Sequence, residues 1–324
     1  MDKHHGEVTT NDGVRLRYLE AGSGQTLVLV HGWSQAAELF RYQLDGLSDR
    51  YRVIAYDQRG HGESDTPAFG YRIARLAKDL HDFLVALDLH DVAVLGHSLG
   101  CSVLWAYWDL FGAERLAKLI LVDQPPFLTR NPAWSSEELE QIGARSTADE
   151  YVARCAQLAA STGEAPIYER IEAMTTGTLD PAVKAWMIEH NLKMPRAAAA
   201  LLFNHSSQDW RDVLPRITLP TLVVGGQASI FPWRSQAWIH EQIPGSRLEV
   251  FAEAESGATS CSSRTQQSST AWSPSSSAER RDGRADARFS YVDVYLRPRL
   301  VTRPLRRPRL AQHRPSRGRS PSRA

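Results

Sequence analysis

The apolar run Val92-Ala93-Val94-Leu95 leads directly into Gly96-His97-Ser98-Leu99-Gly100, and a helical stretch through Leu104-Trp105-Ala106-Tyr107 follows. A serine held between two glycines at a strand-to-helix junction leaves the backbone few paths. A Cβ on either side of so sharp a turn would collide with the adjoining strand or helix, so glycine is required there. Such a turn lifts the serine hydroxyl above the strand end and aims the N-terminus of the next helix at it.

Strand and helix signals alternate around this turn. Val8-Thr9-Thr10 and Arg15-Leu16-Arg17-Tyr18-Leu19 flank Asn11-Asp12-Gly13, a hairpin signal. Thr26 to Val30 is a continuous apolar run, as a strand buried on both faces requires, and Tyr51 to Tyr56 reads as another strand. Ile73, Leu76, Leu80, Phe83, Leu84 and Leu87 recur at helical spacing. Leu119 to Val122 is the next strand. This alternation predicts an α/β fold with a doubly wound, mostly parallel sheet.

Residues 127–212 break the alternation. Ser135 with Glu138 and Thr147 with Glu150 have the spacing of capping boxes, and Asp180-Pro181 reads as an N-cap followed by Pro in the first turn. The segment predicts an inserted helical cap between two parts of the core, 1–126 and 213–255. The second part holds a strand at Thr221 to Val224, a helix from Arg234 to Gln242 and a last strand from Leu248 to Phe251.

From residue 256 onward the composition changes. Residues 256–324 contain 15 Arg, no Lys and 4 acids, a net charge of +11, whereas the preceding 255 residues carry −10. Ser, Arg and Pro dominate, and such a segment buries too little apolar area to offset the entropy of ordering, which predicts a disordered tail. It lacks the aromatic interleaving and folded platform of a nucleic-acid or membrane surface, so neither partner is expected. Three cysteines form no disulfide framework. No secretory leader or apolar run of membrane-spanning length is evident, and a soluble cytoplasmic protein is expected.

Three motifs stand in order, each at a predicted strand end: His31-Gly32-Trp33, Asp57-Gln58-Arg59-Gly60-His61-Gly62-Glu63-Ser64, and the glycine-flanked Ser98. On these, residues from about 8 to 254 resemble the α/β-hydrolase superfamily, near its cofactor-free esterase and perhydrolase (non-haem haloperoxidase-like) branch. The resemblance implies Ser98 as nucleophile toward a small acyl substrate, an ester, lactone or thioester. It implies the backbone N–H groups of Leu99 and Trp33 as oxyanion donors, with the Trp33 indole as a pocket wall. His31 would brace the oxyanion loop, His61 the Arg59-Gly60 turn, and His97 would adjoin the nucleophile with its side chain turned elsewhere. No cofactor and no metal site are expected. Perhydrolysis, a cofactor-free oxygenase and a non-catalytic binder are the alternatives.

Two elements of the family pattern depart from expectation. Many relatives place the catalytic acid three residues after the glycine that ends the strand at 221–226, and Ser229 stands there. Others place it at the end of the preceding strand, where Asp123 stands, so Asp123 is the candidate acid, the alternative being a residue that caps the entrance to the cap. The base histidine should lie near residue 258, within Ala254-Glu255-Ser256-Gly257-Ala258-Thr259-Ser260, where there is none; the next histidine is His313. The codons allowed for Gly257 to Ser273 permit, one frame over, Ser-His-Phe-Met-Phe-Leu-Glu-Asn-Pro, which matches what the family shows there. A frameshift near codon 256, impairing the enzyme, is therefore expected; DNA covering codons 250–275 that is incompatible with the shifted reading would end the idea.

Overall fold

The computed structural model describes residues 3–161, 168, 169, 171 and 180–251. The Arg-rich tail, with its expected disorder and shifted reading frame, lies outside the described residues.

Eight strands form one sheet: β1 (His4–Thr9), β2 (Arg15–Ala21), β3 (Gln25–Val30), β4 (Tyr51–Tyr56), β5 (Val92–His97), β6 (Leu116–Val122), β7 (Thr221–Gly226) and β8 (Arg247–Phe251). Their order is β1-β2-β4-β3-β5-β6-β7-β8. Strand β2 runs antiparallel to both its neighbours, β1 and β4; β3 through β8 pair in parallel. The chain leaves β3 toward β4 and later returns to place β5 on the other side of β3. The order reverses there, and a crevice opens beyond the carboxyl ends of such strands.

Alternate residues of the central strands face opposite layers, so both sheet faces are apolar. Val28, Val30, Val94 and Leu121 pack with α2 (Ile73–Ala86) and α3 (Leu99–Phe111) through Leu80, Phe83, Leu84 and Trp105. Leu27, Leu29, Leu95 and Val122 pack in the opposite layer with Leu44 and Leu47 of α1 (Arg41–Leu47). Between β6 and β7 come α4 (Ser136–Ile142), α5 (Ala148–Ala160), α6 (Pro181–Leu192) and α7 (Arg196–Leu202), the helical insertion read from the sequence. Both capping boxes form, with reciprocal bonds at Ser135/Glu138 and Thr147/Glu150, and Asp180 caps α6 through the N–H of Ala182. Helix α8 (Trp233–Gln242) connects β7 to β8.

One buried ion cluster holds the loop after β4 beneath the strand ends. The fully buried Arg59 donates to both carboxylate oxygens of Asp79 in α2 at 2.5 and 2.7 Å. The same Nη2 that bonds Asp79 also reaches both oxygens of Asp12 in the β1–β2 turn at 2.9 and 3.0 Å, while Arg75 also donates to Asp79 at 2.7 Å. Removing one member strands an opposite charge in the interior. Asp79→Ala is expected to lower unfolding free energy by about 3–5 kcal/mol, read from urea denaturation, whereas the exposed Asp209→Ala changes it by less than about 1 kcal/mol.

Candidate functional site

Ser98 occupies the turn between β5 and α3 with φ 51° and ψ −123°, a left-handed backbone that a non-glycine residue adopts only when its surroundings enforce it. The flanking glycines show what enforces it. A Cβ on Gly100 would lie 2.3 Å from the carbonyl oxygen of Val30 in β3, and one on Gly96 would lie 2.6 Å from the backbone of Gly100. Helix α3 therefore starts pressed against β3 and β5. Leu99 is its first residue, so the Leu99 N–H has no carbonyl one turn back within the helix to bond and faces the serine end with the helix dipole behind it. The Ser98 hydroxyl donates to Gln124 Oε1 at 3.4 Å, a long bond.

The loop after β3 lies against this turn. A Cβ on Gly32 would lie 3.1 Å from Ser98 Cβ. The Gly32 N–H donates to Gln35 Oε1 at 2.7 Å, and the Gly32 carbonyl accepts from His31 Nδ1 at 2.8 Å and from the Gln35 N–H at 3.3 Å. A trans peptide carries its C=O and the following N–H on opposite sides. Tying the Gly32 carbonyl toward His31 and Gln35 thus turns the Trp33 N–H the other way. The tautomer of His31 is fixed by its second nitrogen, since Nε2 accepts from the Gln58 N–H at 3.1 Å. His61 braces the same loop: Nδ1 donates to the Arg59 carbonyl at 3.0 Å and Nε2 accepts from the Ser34 N–H at 3.2 Å. His97 turns away from Ser98 and donates from Nδ1 to Gln35 Oε1 at 3.2 Å. All three imidazoles are buried, and burial holds them neutral: His97 is pushed down to about 3, His61 to about 4, and His31 well below the ordinary histidine range.

The Trp33 indole reaches the cap, where its Nε1–H donates to the Ala199 carbonyl of α7 at 3.0 Å and its ring meets Phe203 edge-on at 5.4 Å. Several cap aromatics pair with one another or with arginines. Trp134 lies by Phe127 under Arg211, and Trp186 stacks beneath Arg41. Cys101 is buried in α3, its thiol bonded to the Gly96 carbonyl at 3.0 Å and pushed up by burial, which makes it a packing residue.

Asp123 follows β6 as Ser98 follows β5. Strand residues His97 and Val122 are paired in register, the Ser98 N–H bonds the Val122 carbonyl at 2.9 Å, and the Asp123 N–H bonds Val224 at 3.0 Å. The two residues therefore stand side by side at adjacent strand ends. Asp123 also has a left-handed backbone, φ 54°, and Ser34 in the loop after β3 has φ 59°, so three strained non-glycine residues gather at one end of the sheet. Asp123 Oδ2 accepts from Ser229 Oγ at 2.6 Å, so the two alternative acid positions are hydrogen-bonded partners. Oδ1 is buried without a hydrogen-bond partner among the described residues. Burial raises the carboxyl to about 7, and the Ser229 bond offsets this only in part.

Ten of the eleven histidines fall among the described residues, and none of the ten bonds Ser98 or Asp123; the eleventh is His313, which lies outside them, as does the position near 258 where the base is expected. Among the described residues no group of three or more His, Cys, Asp or Glu is placed to hold a metal ion, and no helix is long and apolar enough to cross a membrane. Sequence reading missed Gln35 and Gln124. Neither sits in a recognisable motif, although Gln124 directly follows the candidate acid.

A carboxyl that titrates near 7 when folded and near 3.8 when unfolded binds its proton more tightly in the native state across that interval. Its contribution to stability is therefore present below the unfolded value and lost as pH rises through about 4 to 7. Asp123→Asn carries no such term. The variant's advantage in thermal midpoint over the parent is expected to be larger at pH 8 than at pH 5; an equal difference at both would show that Asp123 is ionised throughout.

The family profile described as the alpha/beta hydrolase fold matches residues 25–256. A non-heme chloroperoxidase of Streptomyces lividans is 32% identical over 232 residues, covering 68% of this chain and 81% of that protein. A soluble epoxide hydrolase of Corynebacterium sp. (strain C12) is 34% identical over 119 residues, 37% of this chain and 41% of its own. The solved esterase of Exiguobacterium antarcticum superposes with a TM-score of 0.70 at 28% identity, over 76% of this chain and 91% of that one. With its sheet order, its serine turn and these relatives, the chain belongs to the α/β-hydrolase family.

Proposed function

We propose that this is a serine hydrolase site for a small ester, lactone or thioester, working through an acyl-enzyme, and that the chain as written lacks its base. The observation that carries the reading is the strained Ser98 turn, with Gly32 against its Cβ and a buried carboxyl on the adjacent strand end. Ser98 Oγ would bond the acyl carbon as its proton leaves to a base. The oxyanion would sit between the Leu99 and Trp33 N–H groups, and collapse would expel the alcohol or thiol. Water then attacks the acyl-enzyme and releases the acid. Both proton transfers call for an imidazole, and Asp123 Oδ1 is the acceptor that would orient one.

The names of chloroperoxidase relatives favour a second use of the same intermediate, in which hydrogen peroxide replaces water and releases a peracid.

Three proteins test the reading with p-nitrophenyl acetate: the chain as written, its Ser98→Ala variant, and a form whose residues from 256 onward are replaced by the shifted-frame sequence containing Ser-His. The replaced form is expected to turn over at least about 10³-fold faster than the written chain, which retains only donor-based catalysis. Ser98-dependent turnover of the written chain at that higher rate would show that another residue supplies the base. Bromination by the replaced form, dependent on peroxide and acetate, separates perhydrolysis from hydrolysis alone.

A further inference from the structure

The cap segment 191–203 rests on the loop that follows β3. Its Asn191 carbonyl accepts from Ser34 Oγ at 3.0 Å, its Ala199 carbonyl accepts from the Trp33 indole, and its Phe203 ring meets Trp33. Arg196 lies between these contacts, one helical turn before Ala199. Both terminal guanidinium nitrogens of Arg196 are buried and have no hydrogen-bond partner among the described residues. Among the described residues no ion pair compensates the charge, and burial pushes its pKa below the ordinary arginine range. Arg59 and Arg52 differ in having carboxylate partners: Arg59 leaves only Nη1 unbonded and is held by two aspartates, and Arg52 is held by Glu20. An uncompensated buried charge costs stability unless something else answers it. A guanidinium presents a planar fork of donors that matches a carboxylate in two parallel bonds.

We propose that Arg196 is the specificity residue of the site and that it binds a carboxylate at the far end of the acyl substrate, which makes the substrate class the half-esters of dicarboxylic acids. The inference rests on the hydrolase reading for the position of the reacting carbonyl, but the binding of the anion is separable from it. An acyl chain attacked at Ser98 would extend from the Trp33 N–H toward the cap segment that contacts Trp33. Its distal carboxylate would supply the partner that Arg196 lacks.

The test uses the chain as it stands and a binding readout that needs no turnover. Monomethyl esters of succinate through suberate are titrated with tryptophan fluorescence as the signal, each beside its uncharged terminal amide. At least one half-ester is expected to bind about tenfold or more tightly than its amide. Arg196→Gln is expected to abolish that preference and Arg196→Lys to keep part of it, with thermal midpoints reporting that both variants fold. Ser98→Ala is expected to leave the preference intact. Equal binding of half-ester and amide across the series, or a preference that survives Arg196→Gln, overturns the proposal. If the preference is present and depends on Arg196 while the shifted-frame form hydrolyses no ester, the carboxylate site stands and the hydrolase reading falls. Ester hydrolysis indifferent to Arg196 gives the reverse.

Discussion

The site depends on how closely α3 approaches β3. Gly100 sits so near the Val30 carbonyl that a single methyl group would force the helix away from the strand. That approach sets three things together. It fixes the left-handed turn at Ser98, brings the helix N-terminus with the Leu99 N–H to the strand ends, and leaves room for Gly32 to lie against the serine. Oxyanion stabilisation works only when donors are already in place as charge develops, because reorganising them would consume the benefit. On the proposed reading, the arrangement in this chain would be built from backbone, with side chains holding the backbone still. His31, Gln35, His61 and His97 all spend their hydrogen bonds on the loops around Ser98. Their burial keeps the imidazoles neutral, so the bracing is not titrated away near neutral pH.

What was legible in the sequence was local. The turn at Ser98 was readable because its steric requirement falls on residues 96–100, and the caps at Ser135, Thr147 and Asp180 because each bond closes within three residues. Strand positions were readable from apolar runs, since parallel strands are buried on both faces. The contacts between distant segments were not. Ser229 and Asp123 are 106 positions apart, and the sequence presented them as rival acid positions when they are hydrogen-bonded to each other. Gln35 carries no periodicity or motif, yet one amide oxygen bridges the Gly32 N–H and the His97 ring. Nor does any residue pattern announce that Trp33 spans from the strand end to the cap.

The pair at Asp123 shows how, on the proposed hydrolase reading, a missing partner would alter the chemistry of what remains. In a complete serine hydrolase site a carboxylate stays ionised because an imidazole N–H answers it. Here one oxygen has the Ser229 hydroxyl, the other has no described partner, and desolvation favours the neutral acid up to about 7. A protonated Asp123 would present an O–H donor where the mechanism needs an acceptor. The loss of the base would therefore disable the acid as well, by changing its protonation and without moving it. On the same reading, an imidazole beside Oδ1 would reverse both defects at once, since a nearby cationic or donating ring favours the carboxylate. The Ser98 turn is insulated from this exchange because its strain is held by glycine contacts with β3 and β5. On the proposed reading, loss of the histidine would thus leave the nucleophile and the oxyanion donors framed, and would remove the acid–base pair as a unit.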